Sequence, residues 1–200
     1  MMIFVVWTAL PLFYSGGNAS SVCVPASLRH LSPELIKNFT YSDVIQLSKT
    51  VVETQADFAQ VRLGDRDYDE YLRRIPLLPR PIHQPHKIPE ETLLQMEIKD
   101  LYTFKEFIKK MKTHEKKKSL FLAKFETIDG KINGLIGHLK DLENCRGYQV
   151  TYQGASVQPT LKPTATQKEQ DEWELSVMRE LWHWLIPVQG ELYKQLNHSY

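Results

Sequence analysis

Four apolar stripes, each long enough for a helix, divide this chain, and they are separated by a long, a short and a long connection. Connection length decides which way neighbouring helices run, so this rhythm limits the possible folds more than any single motif. A helix of about twenty residues is about 30 Å long. Residues 112–118, between the second and third stripes, supply seven links, which span at most about 23 Å when fully extended. They cannot return along a whole helix, so helices two and three are expected to be antiparallel. Residues 64–88 and 143–165 are each longer than twenty and rich in proline and polar groups. Both can run the full height of a bundle, and loops that long are otherwise uncommon in a compact domain. The expected fold is all-α: a long-chain four-helix bundle threaded up-up-down-down, with two long crossover loops.

The stripes carry start and stop signals. Thr40 is placed to cap the first helix, with Asp43 three residues on and a Phe39–Val44 hydrophobic staple. Its inward face reads Val44, Leu47, Val51 and Phe58, flanked by Ala59 and Val61, and Gly64-Asp65 ends it. The second helix is expected from Pro89-Glu90-Glu91, a proline at the first turn followed by acids that suit the helix dipole. Its stripe runs from Leu94 through Ile98, Leu101, Phe104 and Ile108 to Met111. The third has the cleanest period, Phe121, Phe125, Ile128, Ile132, Leu135, Leu139 and Leu142, in steps of four and three. Gly130, Gly134 and Gly137 weaken its intrinsic propensity, so packing must hold it. The fourth opens on the capping box Thr166-Gln167-Lys168-Glu169. It carries Leu175, Met178, Trp182, Leu185, Val188, Leu192 and Leu196. Pro187 should kink that helix rather than end it, because the stripe continues beyond it.

Ahead of the bundle, Ile3–Tyr14 is a twelve-residue apolar run, too short to span a bilayer as a helix. Ser15-Gly16-Gly17-Asn18-Ala19 follows, with small residues at minus three and minus one if cleavage falls after Ala19. That is a signal-peptide layout, although Met1-Met2 lacks a basic residue; a buried N-terminal strand is the alternative. The expected division is a signal peptide over 1–19 and one bundle domain over 20–200, the product being exported. No later run approaches eighteen apolar residues, so no membrane insertion is expected. Two cysteines remain, Cys23 and Cys145. In an oxidising compartment such a pair reads as a disulfide rather than a reactive dyad, with two free thiols as the alternative. Asn38-Phe39-Thr40 and Asn197-His198-Ser199 are glycosylation acceptors.

Charge excludes one class of function. With 25 basic and 24 acidic residues, the chain lacks the basic excess of a single-domain nucleic-acid binder. There is no Gly-rich phosphate loop, nucleophile elbow or Cys-x-x-Cys, so no catalytic residues are assigned and an enzyme is not expected. His83 and His86 are ligand types without a carboxylate or thiol neighbour, and read as a solvated loop rather than a metal site. Seven lysines between Lys105 and Lys118 read as a solvated helix end, or alternatively as a patch for acidic glycans. Trp182 and Trp184 cannot share a helix face; Trp182 lies on the stripe and is expected in the core, with Trp184 at an edge. Trp173, beside Asp171, Glu172 and Glu174, suits an interface anchor, or a ring folded under the preceding loop.

The layout resembles the interleukin-6 family of long-chain helical cytokines, nearest the leukaemia inhibitory factor, ciliary neurotrophic factor and cardiotrophin branch, fish members included. The resemblance covers the mature chain mainly as layout, and its specific pieces are few. Arg179-Glu180-Leu181 followed by Trp184-Leu185, and Gly190-Glu191-Leu192, are similar to the fourth helix of cardiotrophin-type members. Cys145 followed by Val150-Thr151-Tyr152 resembles the end of the third helix in leukaemia inhibitory factor. That resemblance implies a Cys23–Cys145 bridge. It also implies class I cytokine receptors as partners, the shared glycoprotein 130 subunit among them, with JAK–STAT signalling as the outcome. One receptor surface is implied on the first and third helices, and another at the start of the fourth. The family's Phe-x-x-Lys motif for the leukaemia inhibitory factor receptor is replaced here by Lys168-Glu169-Gln170-Asp171. The departure shifts the implied anchor to Trp173, with Lys168 and Asp171 beside it.

The resulting expectation is a secreted, monomeric cytokine that bridges receptor chains and needs no cofactor. The alternative from another class is a secreted carrier whose amphipathic helices lie on lipid. A small secreted hydrolase ranks third.

Overall fold

The first helix begins earlier than its sequence suggests. In the computed structural model, which describes residues 32–64, 72–115, 119–148, 158–161 and 164–197, α1 runs over Pro33–Phe58. Its cap is Ser32, whose hydroxyl accepts from the Leu35 N–H at 3.3 Å, with Pro33 at the first position and Glu34 in the first turn. Thr40 is therefore no cap. It is buried inside the helix and its hydroxyl donates to the Ile36 carbonyl at 2.8 Å. Phe39 is correspondingly exposed and stacks on His138 instead of stapling the helix start. Ser-Pro-Glu was the stronger start signal, and it opens the helix seven residues before Thr40.

Past Phe58 the chain widens into a π-helical turn, Ala59–Leu63, which Gly64 ends in the left-handed region at φ 71°. The wider turn breaks the 3.6-residue register. Ala59 is buried as expected, but Val61 is 65% exposed, and Arg62 points toward the end of the next helix. A single 3-10 turn, Pro85–Lys87, precedes α2 over Glu90–His114. Next come α3, Leu120–Arg146, capped by Ser119 and closed by Gly147, and α4, Gln167–Asn197. No strand occurs among the described residues, and none of their helices is long and apolar enough to cross a membrane. Residues 1–19, Cys23, Lys116–Lys118, Val150–Tyr152 and Ser199, on which several expectations rest, lie outside the described residues.

Every expected seam position of α2 and α3 is buried. In α4 the helix continues through Pro187 and carries its apolar face on to Val188 and Leu192. The two tryptophans, however, exchange roles. Trp184 is fully buried and is the largest such side chain, whereas Trp182 is only partly covered. The true inner face includes Val177, Leu181, Trp184 and Val188, a second row at steps of four, three and four beside the expected one. Trp184 meets Phe104 of α2 at 5.9 Å between rings and donates its indole N–H to Asp100 at 3.0 Å.

Helix α1 packs against α3 and α4, and α2 packs against α3 and more lightly against α4, leaving α1–α2 and α3–α4 as the diagonals. Ion pairs tie the ends together. At one end Glu90, the first residue of α2, takes Lys37 of α1 at 2.8 Å and Arg146 of α3 at 3.2 Å, and accepts from the Tyr148 hydroxyl. Burial alone would raise the Glu90 carboxyl, yet Lys37 and Arg146 hold it below the ordinary value. At the other end Arg62 grips Glu115 just past α2, and Lys124 of α3 pairs with Asp57 of α1. Midway, His138 of α3 meets Asp43 of α1 at 2.8 Å.

One buried acid on α2 has a measurable consequence. Glu97 is 4% exposed beside Asp100 and Glu191. Burial, reinforced by those two carboxylates, raises its pKa from 4.5 to about 8. A folded-state value above the unfolded one means stability is fully present below pH 4.5 and is lost as pH rises toward 8. Glu97→Gln carries no charge at any pH, so it should match the parent at pH 4. At pH 8 it should exceed it by roughly 2 to 4 kcal/mol. Urea unfolding at the two pH values tests this, and an equal difference at both would reject it.

Candidate functional site

The capping box at the start of α4 forms as expected. The Thr166 N–H donates to the Glu169 carboxylate at 2.7 Å, and the Glu169 N–H returns to the Thr166 hydroxyl at 3.2 Å. This fixes the first turns, and residues 169, 172, 173 and 176 then share one helix face. That face forms one wall of a cleft of about 260 Å³. Arg73–Pro76 of the first long connection form the opposite wall, Thr160, Leu161 and Ala165 of the second close one side, and Phe107 of α2 forms the floor. The Arg73 N–H donates to the Ser176 hydroxyl at 3.1 Å, and that hydroxyl donates to the Glu172 carbonyl at 2.7 Å. Ile75 and Leu78 tuck into the core, so the first connection is pinned to the bundle.

Trp173 lies in this cleft, half-buried. Its ring stacks on Phe107 at 5.8 Å and 22°, with His114 tilted against it at 5.8 Å. The ring is neither free on the surface nor lost in the core: Phe107 and His114 support it, and it contributes to the cleft lining. Arg73, Arg74, Glu169 and Glu172 all line the cleft together with Ile75, Phe107 and Leu161, so charges of both signs border an apolar lining.

Lys168 and Asp171 lie elsewhere. Both line a separate hollow with Arg62, Leu63 and Gln167, because residues two apart on a helix point about 200° from one another. Lys168 is exposed and 3.8 Å from Glu172. Asp171 is 4% exposed and accepts from the Gln167 amide at 2.9 Å. Burial raises the Asp171 carboxyl, against the lowering effects of Gln167 and Arg62. Next to it Glu174 is fully buried and 2.9 Å from His114 Nδ1, and burial raises its carboxyl too. Asp171 thus belongs to a charged knot, with Arg62, His114, Glu115 and Glu174, that locks the start of α4 to the ends of α1 and α2. The structure brings Lys168 and Asp171 together and sets Trp173 apart from them.

Cys145 sits in the last turn of α3 with 7% of its surface exposed. Asn38 and Asn197 are both exposed, one near the start of α1 and one at the last residue of α4. His83 just before the 3-10 turn and His86 within it are both exposed, and no group of three metal-ligating side chains occurs among the described residues. Sequence reasoning missed the cleft walls, since the connections have no period to read. One signal was present: Ile75-Pro76-Leu77-Leu78, an apolar patch inside an otherwise polar loop, which announces a segment that packs down. Compared with known proteins, the chain matches no family model, no curated sequence and no solved structure.

Proposed function

We propose that this chain is a secreted helical cytokine that acts by binding, docking receptor chains on a rigid up-up-down-down bundle. Three pairings support that threading. Lys37 meets Glu90 where α1 and α2 both begin, Arg62 meets Glu115 where both end, and Tyr41 near the start of α1 meets Tyr193 near the end of α4. Two diagonal helices that share both ends run parallel, and each then needs a long crossover. Export rests on the layout of residues 1–19, and a Cys23–Cys145 bridge would tie the N-terminal segment to the end of α3.

The observation that carries the reading is the Trp173 cleft. A supported aromatic, an apolar lining and bordering charges of both signs are the make-up of an interface hot spot. Its walls include α2, α4 and a first connection pinned by Ile75, Leu78 and the Arg73–Ser176 bond, so on that side little ordering entropy is lost when a partner docks. The partner class is a class I cytokine receptor, with glycoprotein 130 and the leukaemia inhibitory factor receptor as the first two to test. The wide apolar faces of all four helices are buried against one another, which disfavours the lipid-carrier alternative.

The test is capture of the purified protein by a panel of soluble class I receptor ectodomains. At least one should bind, and Trp173→Ala should weaken that binding by about thirtyfold, the size of a hot-spot loss near 2 kcal/mol. Trp173 also packs on Phe107, so a rim variant separates docking from folding. Arg74 is exposed, and Arg74→Glu should lower affinity about tenfold or more while leaving the unfolding midpoint unchanged. Parent-like binding by both variants rules out the cleft. Binding to liposomes and to no ectodomain would favour the carrier.

A further inference from the structure

Asn38 and Asn197 are far apart in sequence, yet both line a single groove of about 340 Å³ between the start of α1 and the end of α4. Tyr41 and Tyr193 both line it and pack on one another, rings 6.2 Å apart and tilted by 40°, and Tyr193 is 56% exposed. Glu34 contributes a carboxylate to the same groove. We propose that Asn38 and Asn197 both carry N-linked glycans whose first sugars share this groove and rest on Tyr193, sealing this end of the bundle with carbohydrate.

The chemistry fits the lining. The C–H face of an N-acetylhexosamine packs well on an aromatic ring, and its hydroxyls and amide need polar partners such as the Glu34 carboxylate. An exposed aromatic between two acceptor asparagines meets both needs. The attachment itself takes a lipid-diphosphate-linked oligosaccharide as co-reactant. The asparagine Nδ2 forms a bond to the anomeric carbon, the carbon–oxygen bond to the diphosphate breaks, and the lipid diphosphate leaves with that electron pair. One amide proton passes to a base.

The fold also orders the events. The transferase reads the hydroxyl two residues after the acceptor asparagine, and that of Thr40 is buried and bonded to the Ile36 carbonyl at 2.8 Å. Asn38 is therefore modified before α1 folds. Sealing this end leaves partners the Trp173 end, about 36 Å away along α4 by helix rise.

This inference rests on the reading of the chain as exported, and the experiment separates the two. The chain is expressed in secretory animal cells, once with its own first residues and once behind a borrowed signal peptide, and glycopeptides are mapped by mass spectrometry. Both asparagines should be occupied. Tyr193 should be nitrated by tetranitromethane several-fold more slowly than in the Asn38→Gln, Asn197→Gln double variant. Enzymatic removal of the glycans from the folded protein should restore the faster rate, which covers the case of a variant that folds poorly. Occupancy only behind the borrowed signal would sink the export reading and leave the groove proposal standing. An empty Asn38 or Asn197 behind the borrowed signal overturns the proposal. So does equal nitration with and without glycans.

Discussion

Trp184→Ala should lower the unfolding free energy by roughly 3 to 5 kcal/mol, the range for removing a large aromatic from a core. The ring is fully buried and packs against Phe104, so its loss opens a cavity between α2 and α4. It also strips Asp100 of the indole N–H that now holds its carboxyl down. Burial has already raised that group from 3.8 to about 6, and losing the donor raises it further. The deficit should therefore grow as pH climbs above 6. Trp184→Phe keeps most of the volume but loses the N–H and part of the bicyclic ring, so it should cost less than Trp184→Ala, about 1 to 2 kcal/mol. Trp182→Ala, at a partly covered position, should cost less than Trp184→Ala. Chemical denaturation followed by circular dichroism ranks the three variants. A larger loss at Trp182 than at Trp184 would contradict the packing described.

Arg62→Ala should destabilise by roughly 3 to 5 kcal/mol, far more than an exposed ion pair would. The Arg62 guanidinium contacts both oxygens of Glu115 at 2.8 Å, and the Glu115 side chain is only 2% exposed. It also lies over the rings of Phe58 and Phe121, at 5.8 and 5.5 Å. Without it a buried carboxylate is left beside Asp171 and Glu174, at the point where α1, α2 and the start of α4 converge. Adding Glu115→Gln to Arg62→Ala removes the stranded charge and should recover part of the loss. Thermal unfolding of the single and double variants checks both statements. A single-variant loss below about 1 kcal/mol would mean that the pair behaves as a surface contact.

The same knot bears on function. Asp171 was placed beside Trp173 as a contact residue by its position on the chain, yet it is held inside by Gln167 and the Arg62 cluster. Its work is to fix the direction in which α4 leaves the second crossover. That direction sets the wall on which Trp173 and Glu172 stand. Substituting Asp171 should disturb the cleft through α4 rather than by a lost contact, as should Glu169, whose carboxylate closes the capping box; exposed Arg74 is the rim position that would report on the proposed docking without touching the helix start.

The local signals in the chain were sufficient for the helices themselves. The α2 and α3 seams, the Thr166 capping box, the stop at Gly64 and the run through Pro187 could all be read, because backbone bonding and a 3.6-residue period act within a few residues. So could the start of α1, where Ser32-Pro33-Glu34 is a stronger local signal than Thr40. One feature on the same helices could not. Period alone does not choose between adjacent rows of an apolar face, so only the position of α2 put Trp184 inside and left Trp182 at the edge. The Trp173 cleft and the groove shared by Asn38 and Asn197 depend on segments distant in sequence being brought side by side. No local energy encodes such a meeting. It follows from which faces the assembled bundle presses together, and that was decided by the tertiary structure alone.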